Sequence, residues 1–148
     1  MTTPATPILL TVWRGSVRFR DCDSLGHVNN AVYLTYLEQA RFSLWRAQLD
    51  FTANGTRSPR GEGFILARVE CDFRSQARYG DQLDVRLSLT GLGRTSFAYG
   101  YEIVDVPTGR LVAEATTVQV RYDYDLQKPV PISSELRTRL SLPVTSTV

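Results

Sequence analysis

The spacing of apolar residues changes along the chain, and each change marks a predicted element. Residues 16–20 alternate polar and apolar side chains, which is the period of a half-buried strand. A turn-rich segment follows at 21–26, and Asn29 and Asn30 then supply short side chains whose oxygens can cap a helix. The pattern therefore predicts a strand, a turn and the start of a helix.

A helix is predicted over residues 29–49, where apolar residues recur at spacings of four, three and four. The stripe consists of Tyr33, Leu37, Ala40 and Leu44, flanked by Val32 and Tyr36. A helix of this length holds roughly 20 residues and extends about 30 Å. Its apolar face is expected to pack against the rest of the fold.

Strands are predicted after a Gly-, Pro- and Arg-rich loop at 54–63, because the apolar period there becomes two. The first strand should place Ile65, Ala67, Val69, Cys71 and Phe73 on one face and Arg68, Glu70 and Asp72 on the other. Further strands are predicted at 83–89, 97–103 and 112–122, with turns at 91–93 and 107–109 and a short capped helix at 131–136.

These elements predict one α+β domain over residues 8–140, in which the long helix packs against a curved antiparallel sheet. The ends, 1–7 and 143–148, show no period and are expected to be flexible. One helix cannot cover both faces and both edges of such a sheet. We therefore expect a homodimer or a homotetramer.

Composition narrows the class of protein. A chain of 148 residues with 43% apolar and 22% charged side chains is typical of one soluble globular domain. The net charge of +2 predicts no general nucleic-acid or membrane partner, and no targeting segment is expected. Cys22 and Cys71 fit neither a disulfide framework nor a zinc site. No metal site is predicted, and the cytoplasm is the expected compartment.

The segment at 21–30 carries the candidate chemistry, because it joins the end of a predicted strand to the first turn of the long helix. The N-terminus of a helix presents unpaired N–H groups and a partial positive charge, which can hold a carbonyl oxygen as it becomes an oxyanion. Asp23 could attack that carbonyl or take a proton from a water. The alternative is that the acidic residues and Asn29 only cap the helix and shape a turn.

Two residues near Asp23 in the sequence are also possible catalysts. His27, the only histidine, could take part in catalysis or simply order the loop. Cys22 is disfavoured as a nucleophile, because the flanking carboxylates oppose its thiolate and no second histidine is present to act as base.

The residues from Asp23 through Gly26-His27-Val28-Asn29-Asn30, with Tyr33-Leu34, Tyr36, Glu38 and Ala40-Arg41 after them, closely resemble a known signature. It is that of the hot-dog-fold acyl-CoA thioesterases of the 4-hydroxybenzoyl-CoA thioesterase type. The later segments Tyr79-Gly80-Asp81, 93–97 and Pro131-Ile132 also fit, so the resemblance covers roughly residues 16–140. It implies a hot-dog fold and hydrolysis of an acyl-CoA substrate.

The resemblance also implies roles for individual residues. Asp23 corresponds to the catalytic carboxylate, and the backbone N–H of Asn30 corresponds to the amide that polarises the thioester carbonyl; we include His27 in the candidate site. Arg94 and Ser96 occupy the segment that contacts the phosphate and pantetheine parts of coenzyme A. Tyr33, Tyr36 and Glu38 are interpreted as packing and loop-bracing residues.

No metal or redox cofactor is implied, since coenzyme A is part of the substrate, and the acyl group stays open. Two alternative functions on the same fold are a non-catalytic acyl-CoA-binding module and a hydratase or dehydratase. The presence of Asp23 weighs against the first. The absence of the His-Phe-Pro-Gly motif of dehydratases weighs against the second.

Overall fold

The computed structural model describes residues 1–49 and 61–145, so most of the predicted loop at 54–63 and the end of the predicted C-terminal tail lie outside the described residues. The helices and strands follow one another as β1 (Ile8–Ser16), α1 (Asn30–Leu49), β2 (Glu62–Phe73), β3 (Gln82–Leu92), β4 (Ser96–Asp105), β5 (Leu111–Asp123), β6 (Lys128–Pro129) and α2 (Ser134–Leu140). A 3₁₀ turn, Phe19–Asp21, lies between β1 and α1.

The strands form one antiparallel sheet in the order β1-β3-β4-β5-β2, and β6 pairs with the end of β5. The predicted α+β class, with one long helix against an antiparallel sheet, is confirmed. The strand faces predicted for β3 and β4 are also confirmed. All eight of their predicted apolar residues are buried, namely Leu83, Val85, Leu87 and Leu89 on β3 and Phe97, Tyr99, Tyr101 and Ile103 on β4.

The long helix confirms its prediction in length and in its buried face. It begins at Asn30, because Asn29 caps it: the Asn29 side-chain oxygen accepts the Ala31 N–H at 2.9 Å. Its predicted stripe of Tyr33, Leu37, Ala40 and Leu44 is buried against the sheet. None of the helices described has the length and apolar character needed to cross a membrane.

The strand predicted at 16–20 is wrong. The sheet ends at Ser16, the Val17 N–H donates to the carbonyl of Asp81 at 2.8 Å, and the chain then turns through Phe19. The Phe19 side chain is 79% exposed and packs edge-on against Tyr79 instead of facing the core. Polar and apolar residues alternate here over too few positions to separate a strand from a turn.

The shared face predicted for the second strand is confirmed only in part, for Val69 and Cys71, and is wrong before them. The pairing of β2 with β5 shifts between Leu66 and Arg68, so Ala67 bulges out of the ladder. Before the bulge Phe64 packs against the core, and after it Val69 and Cys71 do so. A bulge reverses which residues face inward, because side chains alternate strictly along a strand.

Several turns and ends complete the fold. The turn at 107–109 is confirmed, whereas β3 continues through Leu92, so the turn predicted at 91–93 lies instead at 93–95. Ser133 caps α2 by accepting the Leu136 N–H at 3.2 Å. Near the first end, Thr2 exchanges two backbone hydrogen bonds with Leu92, at 3.0 and 2.9 Å. Near the other end, the Val144 N–H donates to the Leu10 carbonyl at 2.8 Å.

Candidate active site

The segment between β1 and α1 folds back on itself as a small hairpin-like loop, residues 21–29. The Asn29 N–H donates to the Asp21 carbonyl at 2.9 Å, and the Asp23 N–H donates to the His27 carbonyl at 3.1 Å. An antiparallel bridge joins Cys22 to Val28 between these two pairs. The loop therefore brings Asp23 back beside the residues that lead into α1.

The tip of this loop is closed by bonds to Asp23. The Gly26 N–H donates to the Asp23 carbonyl at 3.1 Å, and the Leu25 N–H donates to Asp23 Oδ1 at 2.9 Å. Gly26 has a φ of +83°, a left-handed conformation that glycine adopts without strain. The local bonds thus hold both the backbone and one carboxylate oxygen of Asp23.

The other carboxylate oxygen of Asp23 is the candidate reactive atom. Within residues 1–49 and 61–145, no hydrogen bond or ion pair is made to Asp23 Oδ2. The residue is half-buried. One oxygen is therefore fixed by the loop, and the second is available for a substrate or a water.

The start of α1 supplies an N–H group next to this loop. The Asn29 side chain accepts the Ala31 N–H and the Asn29 carbonyl accepts the Val32 N–H, both at 2.9 Å. In the described part of the chain, the Asn30 N–H has no acceptor. It is a donor at the positive end of a 20-residue helix, which suits a developing oxyanion.

His27 lies at the same loop and is half-buried. Its Nδ1 is 3.2 Å from the Val28 carbonyl oxygen. A hydrogen bond between these atoms requires the proton on Nδ1 and leaves Nε2 as an acceptor. This contact fits a role in ordering the loop as well as one in catalysis, so the role of His27 stays a prediction.

Sequence reasoning placed Asp21 in the candidate segment but missed its contact with the long helix. Asp21 Oδ2 accepts the Tyr36 hydroxyl at 2.8 Å and the Arg18 N–H at 2.9 Å. Burial raises the pKa of the Tyr36 phenol above its usual range, and the bond to Asp21 raises it further. The position of Asp21, two residues before Asp23 in the same turn-rich segment, was the available signal.

The bracing roles predicted from the sequence meet different outcomes. Tyr36 is buried, bonds Asp21 and packs on Trp13, which confirms its bracing role. Tyr33 is buried and contacts the ring of Phe73, which confirms its packing role. Glu38 is exposed on α1, so the packing role predicted for it is wrong.

Arg94 and Ser96 lie at the turn between β3 and β4. The Gly93 N–H donates to the Ser96 carbonyl at 2.7 Å, and the Arg94 carbonyl accepts the Ile132 N–H at 2.8 Å. The Arg94 side chain is exposed, and its guanidinium forms no ion pair with any residue that the structure describes. The backbone is held while the charge stays available for an anionic ligand.

The structure does not bring Arg94 and Ser96 near Asp23 within one chain. Ser16, which leads into the Asp23 loop, pairs with Gln82 at the start of β3, whereas Arg94 follows the opposite end of that strand. A strand of 11 residues extends about 35 Å. The two parts of the predicted site thus lie at opposite ends of the sheet.

Comparison with known proteins places this geometry in context. Residues 17–140 match the family model described as the thioesterase-like superfamily. The chain is 30% identical over 124 residues to the long-chain acyl-CoA thioesterase FadM of Escherichia coli, covering 84% of this chain and 92% of that protein. It is 26% identical over 117 residues to the acyl-CoA thioester hydrolase YbgC of Escherichia coli, covering 79% of this chain and 85% of that protein.

Solved structures give the same picture. The probable thioesterase YbaW from Escherichia coli superposes with a TM-score of 0.74 at 28% identity, covering 88% of this chain and 96% of that one. Slr0204 from Synechocystis, a 1,4-dihydroxy-2-naphthoyl-CoA thioesterase, superposes with a TM-score of 0.78 at 25% identity, covering 87% and 93%.

Proposed function

The chain belongs to the thioesterase-like superfamily and has the hot-dog fold predicted from its sequence, and we propose that it hydrolyses acyl-CoA thioesters at the Asp23 loop. The relatives named as an acyl-CoA thioesterase and an acyl-CoA thioester hydrolase align with 84% and 79% of this chain. The products are a free carboxylic acid and the thiol of coenzyme A. The reaction proposed needs no metal or redox cofactor.

The observation that carries the mechanism is the pairing of a free carboxylate oxygen with a free helix N–H across one short loop. The thioester carbonyl oxygen accepts the Asn30 N–H, which draws charge from the carbonyl carbon. Asp23 Oδ2 then acts on that carbon by one of two routes. It either attacks directly or takes a proton from a water that attacks.

Both routes end with the same products. In direct attack, the new bond from Asp23 to the carbonyl carbon replaces the carbon–sulfur bond, and a mixed anhydride forms. Water then hydrolyses the anhydride and restores the carboxylate. In the general-base route, water supplies the new carbon–oxygen bond directly. In each case the thiolate leaves and takes up a proton.

The separation of Arg94 from Asp23 supports a site shared between copies of the chain. If both residues serve one coenzyme A, the Arg94 guanidinium and Ser96 come from a second copy. In the described fold β1 and β2 are the edge strands of the sheet; the Leu10 carbonyl of β1 is occupied by the Val144 N–H, whereas Leu66 on β2 is 48% exposed. We therefore propose a homodimer or a homotetramer with a composite site.

The test is hydrolysis of a panel of aromatic, short-chain and long-chain acyl-CoA thioesters, with free thiol as the readout. Asp23→Asn should lower kcat at least about 100-fold with little change in KM, because the amide can neither attack nor accept the proton of water. The amide oxygen still accepts the Leu25 N–H, so the loop should stay folded. Asp72→Asn is the matched control, because Asp72 is exposed on β2 and, among the residues described, its carboxylate pairs with Arg74 alone, at 3.6 Å.

Three outcomes would contradict the proposal in different ways. Thiol release by Asp23→Asn within threefold of the unaltered chain would remove Asp23 from the mechanism. No thiol release from any thioester, with tight binding retained, would favour the binding module. Hydration of an enoyl thioester without thiol release would favour the hydratase.

A further inference from the structure

We infer that Asp21 and Tyr36 form an anchor that positions Asp23 against the start of α1, and that this anchor sets kcat without taking part in the chemistry. The inference rests on the proposed function. It concerns a pair of residues outside the reacting atoms, joined by the bond from the Tyr36 hydroxyl to Asp21 Oδ2 at 2.8 Å.

Asp21 lies at the base of the Asp23 loop, residues 21–29, and three of its groups form hydrogen bonds. Its backbone carbonyl accepts the Asn29 N–H at 2.9 Å, which closes the loop at the N-cap of α1. Its N–H donates to the Arg18 carbonyl at 3.0 Å, and its Oδ2 accepts the Arg18 N–H at 2.9 Å. Asp21 therefore joins the 3₁₀ turn, the loop and the helix cap at a single residue.

Tyr36 connects that base to the body of the helix. It lies on α1, 7% exposed, and its ring packs against Trp13 of β1 and Tyr33 of α1 with centroid distances of 6.3 and 6.0 Å. A ring fixed on both sides gives its hydroxyl one position. The raised pKa of Tyr36 keeps the hydroxyl protonated, so it remains a donor to the carboxylate.

The geometry gives this bond an effect on catalysis. Asp23 lies on one arm of the loop and the Asn30 N–H directly follows the other arm; among the described residues, the Tyr36 hydroxyl is the side-chain group from the body of α1 that bonds the loop. Without that hydroxyl, the backbone bonds between the arms and the bond from the Val28 N–H to the Ala77 carbonyl remain, but the base of the loop can tilt relative to the helix axis. A displacement of about 1 Å in a catalytic group can lower a rate 100-fold, so we expect roughly a tenfold loss from a partial tilt.

Tyr36→Phe is the first test, with Tyr99→Phe as its matched control. Tyr99 is also a buried tyrosine, and its hydroxyl accepts the Trp45 Nε1–H at 2.9 Å, but it lies on β4 beneath the helix. We expect Tyr36→Phe to lower kcat about tenfold with KM within about threefold, and Tyr99→Phe to leave kcat unchanged at a similar loss of stability. Equal losses of kcat in the two variants would refute the anchor.

Asp21 gives a second test that separates positioning from chemistry. An asparagine oxygen can accept both the Tyr36 hydroxyl and the Arg18 N–H, whereas alanine accepts neither. Asp21→Asn should therefore retain about tenfold more activity than Asp21→Ala. The Asp21→Ala/Tyr36→Phe double variant should fall little below the single variants, because both remove the same bond. Losses that multiply, or an inactive Asp21→Asn, would overturn the inference.

Amide hydrogen exchange tests the anchor independently of the reaction. The Asn29 N–H is protected by the Asp21 carbonyl, so it should exchange faster in Tyr36→Phe than in Tyr99→Phe. Equal exchange in the two variants would refute the anchor even if thioester hydrolysis is confirmed. Faster exchange in a chain that hydrolyses no thioester would support the anchor and reject the proposed function.

Discussion

Replacing Gly26 with alanine tests whether the tip of the loop holds Asp23 in place. Gly26 has a φ of +83°, and a Cβ added there meets no atom within 4 Å. The substitution therefore creates no steric clash with a neighbour. The expected effect is therefore the conformational free energy needed to hold alanine in a left-handed backbone conformation.

The size of that cost follows from the backbone conformation. A left-handed conformation costs an L-residue other than glycine about 1–2 kcal/mol. The tip is exposed, so the chain can relieve the strain by opening the turn, which breaks the bond from the Gly26 N–H to the Asp23 carbonyl. If opening relieves all of it, the ratio of closed to open loop falls about 5–30-fold. We expect kcat to fall by up to the same factor, which is reached when the open loop becomes the major state.

Gly109 provides a matched control in the turn between β4 and β5. Its φ is +70°, and an added Cβ there also meets nothing within 4 Å. Its N–H likewise closes a turn, by donating to the Asp105 carbonyl at 2.8 Å. Gly109→Ala should therefore lower the melting temperature by up to roughly 3–8 °C, as expected for 1–2 kcal/mol in a chain of 148 residues, and leave kcat unchanged.

Steady-state thiol release and thermal unfolding, measured on both variants at one protein concentration, decide the question. A Gly26→Ala variant that keeps kcat within twofold of the unaltered chain would show that the tip does not hold Asp23. A Gly109→Ala variant that loses as much kcat as Gly26→Ala would show that the loss is general.

Three further substitutions test the core, a helix cap and the coenzyme A contact. Leu44→Ala should lower the free energy of unfolding by about 3–5 kcal/mol in denaturant, because Leu44 is 0% exposed on the buried face of α1; a loss below about 1 kcal/mol would contradict its core position. Ser133→Ala should cost about 1 kcal/mol by the same assay and Ser133→Thr much less, because the hydroxyl caps α2; equal losses would exclude the cap. Arg94→Ala should raise KM for a coenzyme A thioester roughly fivefold with little change in kcat. A truncated pantetheine thioester is the comparison, and equal weakening of both substrates would refute the phosphate contact.

The long helix could be predicted because its signals are local. Asn29 offers a cap directly before an apolar stripe, and both cap and stripe follow from residues within four positions of one another. β3 and β4 were predictable for the same reason, since buried residues recur with a period of two over the predicted ranges 83–89 and 97–103. Local patterns of this kind need no knowledge of the partner strand.

The errors arise where a contact from elsewhere in the chain decides the local structure. The bulge at Ala67 exists in the pairing of β2 with β5, and the residues around it alternate as any strand does. Val17 leaves the sheet because Asp81 and Gly80 bond its backbone, which no property of residues 16–20 reveals. The bond from Tyr36 to Asp21 joins positions 15 residues apart and could not be read from spacing alone.

The candidate site shows the same division at a larger scale. Asp23 and the Asn30 N–H could be placed together from the sequence, because only six residues lie between them and a helix begins at the second. The position of Arg94 depends on the register of β1 against β3, which sends it to the far end of the sheet. Motif residues that recur in one family therefore need not meet within one chain. If the Arg94 variant changes KM while the Asp23 variant changes kcat, Arg94 will contribute to binding and Asp23 to the chemistry of one substrate, as the proposed composite site requires.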